Sequence, residues 1–197
     1  MAPFAVLHVC MGNICRSPMA ERLLRQAARE RVGDKVDELL LSHSAGTGGW
    51  HAGDPMNPPA AREIRRRGGD DAGFLARRLN GEHLDAADLI LTATAEQVDH
   101  VLGRRPDAGG RTFVIGEFGR LLPLVDAGAL PRAAPVADAI YARGVALVEA
   151  ADAARGGRPP RPEDELDDPW GRGDTFFTRV ADGIEDVVRP LAAALFG

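Results

Sequence analysis

Cys10 and Arg16 stand six residues apart in the stretch Cys10-Met11-Gly12-Asn13-Ile14-Cys15-Arg16-Ser17-Pro18. A thiolate is a strong nucleophile, and a guanidinium is a planar fork that holds two oxygens of a tetrahedral anion. The stretch follows an apolar run, Phe4 to Val9, and opens a helical pattern from Met19. A buried strand, a tight loop and a helix N-terminus in that order aim unpaired backbone N–H groups and the positive end of the helix dipole at one spot. Anions bind at such a spot. With the loop curled around an anion, the sulfur lies beneath it and the guanidinium at its edge: a nucleophile aimed at phosphate.

The remaining residues of the stretch fit that use. Helix N-termini and neighbouring cations favour thiolates over thiols, and the Ser17 hydroxyl adds a hydrogen bond to the sulfur. Gly12 permits close backbone approach or positive φ. Asn13 tolerates left-handed geometry and can tie the loop with its amide. Pro18 suits a first helical turn, where its missing N–H costs nothing.

The elements that must position this loop alternate. Strands are expected at 4–9, at 39–42 running on to Thr47, at 89–92 and at 112–115. Helices are expected at 19–32, with Ala20, Leu23, Leu24, Ala27 and Arg31 facing the core, then from Pro58 to Gly68, over 82–87, from Thr94 (a Thr-x-x-Gln capping box) to about Leu102, and from Gly116 to Leu122. That order gives an α/β fold, a doubly wound four-stranded parallel sheet with helices on both faces. The Cys10 loop then sits at the carboxyl end of the first strand, where such folds bind ligands. Further on, Ile140, Val145, Leu147 and Val148 suggest one helix, and 156–162 reads as a surface loop. The last helix, 175–195, buries Phe177, Val180, Ile184, Val187, Leu191 and Leu195; Asp174 caps it and Pro190 should kink it or end it early.

The chain has 197 residues, 45% hydrophobic and 27% charged, as expected of one soluble domain. Its net charge of −5 argues against non-specific nucleic-acid binding. The basic run Arg62, Arg65, Arg66 and Arg67 reads as a solvated helix face. No stretch approaches the about 20 apolar residues of a membrane span, and the start lacks a signal-peptide pattern. The two cysteines share one loop, which fits a cytoplasmic, reducing setting. His8, His43, His51, His83 and His100 show no metal-ligand spacing beyond a bare His51 and Asp54 pair, so neither metal nor cofactor is expected.

The stretch, with its continuation Met19-Ala20-Glu21, resembles the phosphate-binding loop of the low molecular weight protein tyrosine phosphatases. Ser44-Ala45-Gly46-Thr47, Trp50-His51 and Leu89-Ile90-Leu91-Thr92 resemble further segments of that family, and Asp168-Pro169-Trp170 is similar to its Asp-Pro-aromatic motif. The resemblance covers about 4–118 and 167–195, and treats 123–166 as a family-atypical insertion near the rim of the site in a single domain, 1–197. It implies that Cys10 attacks phosphorus, Arg16 holds the oxygens and Asp168 protonates the leaving group. Met11, Gly12, Asn13, Ile14, Cys15 and Ser17 would bind substrate, and Trp50 and Trp170 would wall the cleft. The substrate is then a phosphotyrosine protein or a small aryl phosphate; oligomeric state stays open. The family's acidic turn after the third strand is replaced here by Ala93-Thr94. Two alternatives use the same loop: an arsenate reductase, which needs cysteines beyond Cys15, and a non-catalytic phosphate-binding or redox-sensing module; a reversible Cys10–Cys15 disulfide that protects Cys10 from over-oxidation is compatible with phosphatase activity.

Overall fold

The computed structural model describes residues 2–197. Its frame is a four-stranded sheet of β1 (Phe4–Cys10), β2 (Leu40–Gly46), β3 (Leu89–Thr92) and β4 (Thr112–Val114), in the order β2-β1-β3-β4. Every pairing is parallel, with Phe4 opposite Leu40, Val6 opposite Leu89 and Ile90 opposite Thr112. Eight α-helices connect and flank the strands: α1 (Arg16–Val32), α2 (Val36–Leu39), α3 (Pro58–Arg66), α4 (Gly81–Asp85), α5 (Ala95–Arg104), α6 (Ile115–Leu121), α7 (Ala137–Arg155) and α8 (Asp174–Phe196).

Alternation along β1 divides the interior. Phe4 and Val6 pack into the larger core with α1, α3, α6, α7 and α8, whereas Leu7 and Val9 pack with Leu84 of α4 and Val101 of α5. Period-two alternation sends neighbours to opposite faces, so an all-buried strand demands helices on both. The expected fold class is the one observed.

Several local expectations are corrected. Helix α1 begins at Arg16 rather than Met19, which brings Arg16, Ser17 and Pro18 into its first turn. Arg31 is exposed and donates to the Gly197 carbonyl, because the α1 face it shares ends at Ala28. Asp174 is the first residue of α8, after the N-cap Gly173, and pairs with Arg62 at 2.6 Å. Helix α8 runs through Pro190 to Phe196. Leu191 and Leu195 beyond the proline are fully buried, and that burial offsets the lost hydrogen bond. Arg67 is not solvated: its side chain is buried against Glu63 of α3 and against Asp182 and Glu185 of α8, locking the two helices together.

The segment 123–166 was expected near the site's rim, and most of it lies elsewhere. Helix α7 packs at the amino-terminal ends of the strands, with Gly144 against Phe4 and Arg155 donating to the Thr112 carbonyl. Phe4 and Cys10 bracket a strand about 20 Å long, so α7 is remote from the loop. A Cβ on Gly144 would lie 2.4 Å from the Phe4 ring, which is fully buried. Gly144→Ala gains about 1 kcal/mol of helix propensity, but the overpacking costs about 1–3 kcal/mol. The ring has little room to retreat, because it is fully buried in the core. A net loss of stability is expected, read as a lower urea midpoint at unchanged slope.

Candidate active site

Strand β1 carries Cys10 to the carboxyl edge of the sheet, and residues 11–15 wrap back to start α1. The turn hinges on Asn13, whose φ of 57° is the one positive value at a non-glycine among the described residues. Its amide closes three hydrogen bonds: Nδ2 donates to Ser17 Oγ (2.9 Å) and to Ser44 Oγ (2.8 Å), and Oδ1 accepts the Arg77 N–H (2.9 Å). The Ser44 hydroxyl in turn donates to Glu21 Oε2 at 2.6 Å. Burial pushes the Glu21 carboxyl above the usual range, against the pull of Ser44 and Arg22.

The same bonds orient groups on the sulfur. Because Ser17 Oγ accepts from Asn13, its own proton is free for Cys10 Sγ, 3.0 Å away. The Asn13 N–H also points at Sγ, at 3.3 Å. Asn13→Ala loses the three amide bonds and strains the left-handed position. A loss of roughly 2–4 kcal/mol in unfolding free energy is expected. Asn13→Gly, which accepts that φ, should be less damaged by about 1 kcal/mol, a gap that paired urea titrations will read.

Arg16, 6% exposed, turns its guanidinium towards a distant segment. Nη2 pairs with Asp168 Oδ2 at 3.0 Å, Nη1 donates to the Leu166 carbonyl at 3.2 Å, and buried Nε has no partner within the protein. Asp168 is half-exposed, and its Oδ1 accepts the Trp170 N–H at 3.1 Å. No side chain caps the start of α1, so its first N–H groups stay open to an anion.

A cavity of about 250 Å³ opens at this point, lined by Cys10, Met11, Gly12, Ile14, Cys15, Arg16, Trp50, His51, Asp168 and Trp170. The structure thus gathers nine of the eleven residues expected from the sequence, all but Asn13 and Ser17. Those two lie buried beneath the loop and brace it instead of facing the cavity. Trp50 and Trp170 are 66% and 62% exposed, flat apolar rims around the buried Cys10 and Arg16. Gly12 keeps negative φ; its use is close packing, since a Cβ there would lie 3.1 Å from the His51 ring.

His51 is the lining residue that the sequence-based site omitted. Its Nδ1 bonds Asp54 Oδ2 at 2.8 Å, and the signal for it was its place beside Trp50. Among the described residues no group of three or more His, Cys, Asp or Glu side chains is placed to hold a metal ion. His8 is buried on Ser42, and desolvation followed by His43 brings its pKa down to about 3. Cys15 is set apart from Cys10: burial first, then the Cys10 and Asp168 charges, push its thiol up to about 12. Sequence reasoning also missed the braces Ser44, Glu21 and Arg77, and the Glu165 carboxylate, which takes the Ala95 N–H at 2.9 Å.

Comparison with known proteins matches residues 5–120 to the family described as low molecular weight phosphotyrosine protein phosphatase. The match includes the Cys10 loop and ends before Asp168. The low molecular weight protein-tyrosine-phosphatase Ptp of Acinetobacter johnsonii is 40% identical over 119 residues, covering 60% of this chain and 77% of that protein. The low molecular weight protein-tyrosine-phosphatase YfkJ of Bacillus subtilis (strain 168) is 40% identical over 94 residues, 48% of this chain and only 58% of the relative's length. Among solved structures, the YwlE arginine phosphatase of Geobacillus stearothermophilus shares the fold, with a TM-score of 0.65 at 23% identity, covering 97% of this chain and 92% of that one. From the extent of the family match and of the Acinetobacter alignment, this chain belongs to the low molecular weight phosphotyrosine protein phosphatase family.

Proposed function

We propose that the chain hydrolyses aryl phosphate monoesters, phosphotyrosine in proteins foremost, through a phosphocysteine on Cys10. One observation carries this reading: Arg16 and Asp168, 152 positions apart, meet at 3.0 Å over the cavity that Cys10 lines. The sulfur attacks phosphorus in line, the ester P–O bond breaks, and Asp168 gives its proton to the departing oxygen. The Asp168 carboxylate then takes a proton from water, whose oxygen attacks phosphorus; the S–P bond breaks and phosphate leaves. Arg16 and the loop amides supply the positive charge that this transfer needs. The Ser17 hydroxyl and the Asn13 N–H are placed to hold the sulfur as an anion.

The rims at Trp50 and Trp170 favour a flat ring, hence an aryl ester over the shorter phosphoserine. The arsenate reductase alternative lacks the extra thiols it needs, since Cys10 and Cys15 are the chain's only cysteines. Both thiols are free and buried, as in a protein working in a reducing cytoplasm. No helix among the described residues is long and apolar enough to cross a membrane. The test is hydrolysis of p-nitrophenyl phosphate, a phosphotyrosine peptide and a phosphoserine peptide, each with EDTA. EDTA-insensitive turnover of the two aryl esters is expected. Equal turnover of phosphoserine overturns the aryl preference, and no turnover in reduced protein overturns the enzymatic reading.

A further inference from the structure

We propose that Asp164 and Arg120 are positioning residues for the proton donor: their ion pair, formed on the buried Asp164 carboxylate, fixes the strap, 161–168, that presents Asp168 to the phosphate loop. This rests on the phosphatase reading above. Asp164 is 5% exposed, and both its oxygens are engaged by Arg120 of α6, from Nη2 at 2.8 Å and Nε at 3.1 Å. Its Oδ2 also accepts the Arg161 N–H at 2.8 Å. Burial opposes the charge, yet these donors hold the Asp164 carboxyl below the usual carboxylate range. A carboxylate is kept in such a place only against a matched partner, and a two-point fork fixes angle as well as distance.

The contact is made closer by a glycine. Gly116 lies one helical turn before Arg120 on the same face of α6. A Cβ there would stand 2.4 Å from the Asp164 carbonyl oxygen and 2.8 Å from its Cα. Helix and strap therefore touch backbone to backbone.

Beyond Asp164 the strap is pinned step by step. Glu165 Oε1 takes the Ala95 N–H, the Leu166 N–H donates to the Ala93 carbonyl at 2.9 Å, and the Leu166 carbonyl accepts from Arg16. Asp168 follows two residues on, and Pro169 after it is buried. Fixing the chain four residues upstream of a half-exposed acid limits where its carboxyl can swing. A positioned acid matters most when the leaving group is poor, and that separates positioning from a contribution to stability alone.

The experiment compares kcat/KM for p-nitrophenyl phosphate, whose phenolate leaves readily, with phenyl phosphate, whose phenolate does not. Asp164→Asn is expected to lower phenyl phosphate turnover by a further roughly 10- to 100-fold, the cost of misplacing a catalytic group by an ångström. The nitrophenyl ester and inhibition by inorganic phosphate should change little. Gly116→Ala keeps the charges and pushes the strap backbone off the same face of α6, and should reproduce the selective loss; it decides the matter if Asp164→Asn does not fold. Proportional loss on both esters, or loss on neither, in a folded variant overturns the positioning role and leaves the phosphatase reading intact. Wild-type protein inactive on both esters overturns that reading and this proposal together.

Discussion

Cys10→Ser should bring p-nitrophenyl phosphate turnover down by on the order of 10⁴–10⁶-fold, the scale reached when a covalent nucleophile is removed. The variant should remain folded and should still bind inorganic phosphate. Serine is close to cysteine in shape, and the loop is not held by the sulfur. It is held by Asn13 on Ser17, Ser44 and the Arg77 N–H, none of which changes. The anion site, made from Arg16 and the open N–H groups of α1, also survives. What is lost is the sulfur nucleophile facing the cavity, since a serine hydroxyl without a general base is a weak nucleophile. Cys15 cannot take over, because burial, the largest cause of its raised pKa, is unchanged in the variant and keeps its thiol protonated at neutral pH. Phosphate titration by calorimetry beside the kinetic assay separates the two effects. Activity comparable to wild type in the serine variant would place the nucleophile elsewhere.

Legibility in the sequence followed the range of the interaction that makes each feature. The Cys10 loop was readable because strand, glycine, asparagine and helix start are consecutive, so local stereochemistry alone brings sulfur and guanidinium together. The buried runs of β1 and β3 announced a sheet covered on both faces. Asp168 was marked by its Asp-Pro-Trp neighbours, whereas the strap behind it was not. Arg120 and Asp164 are 44 positions apart, in a helix and an irregular segment, and an ion pair leaves no periodicity to find. Nothing in the sequence therefore separates Asp164 from its acidic neighbours Glu163, Glu165 and Asp167. In the structure Asp164 is buried on Arg120, Glu165 caps α5, and Asp168 faces Arg16. Arg67 misled in the same way: its neighbours in sequence are solvated, and only the arrival of α8 turns it inward. Asn13 and Ser17 were identified as site residues by position, but packing gives them the underside of the loop.

Asp168→Asn should separate proton transfer from anion binding, with effects of opposite sign. Asparagine keeps the shape of the side chain but has no acidic proton to give and no carboxylate to receive one. Turnover of poor-leaving-group esters should fall by about 10²–10⁴-fold, the contribution of a placed acid–base group. Affinity for inorganic phosphate should rise. In the free protein Asp168 Oδ2 occupies Arg16 Nη2 at 3.0 Å and puts a negative charge at the mouth of an anion site. An incoming dianion must displace that carboxylate and approach against its field. The carboxyl is half-exposed, so solvent screens the pair, and the gain is expected to be modest, roughly two- to fivefold in Kd, as for exposed ion pairs. The two readouts are independent: leaving-group dependence of kcat/KM for the acid, and competitive inhibition by phosphate for the charge. A variant losing activity and phosphate affinity together would show Asp168 holding Arg16 in place rather than moving a proton. Tighter phosphate with slower chemistry assigns it both parts described here, a competitor for the guanidinium before substrate arrives and the proton donor once the phosphate has displaced it.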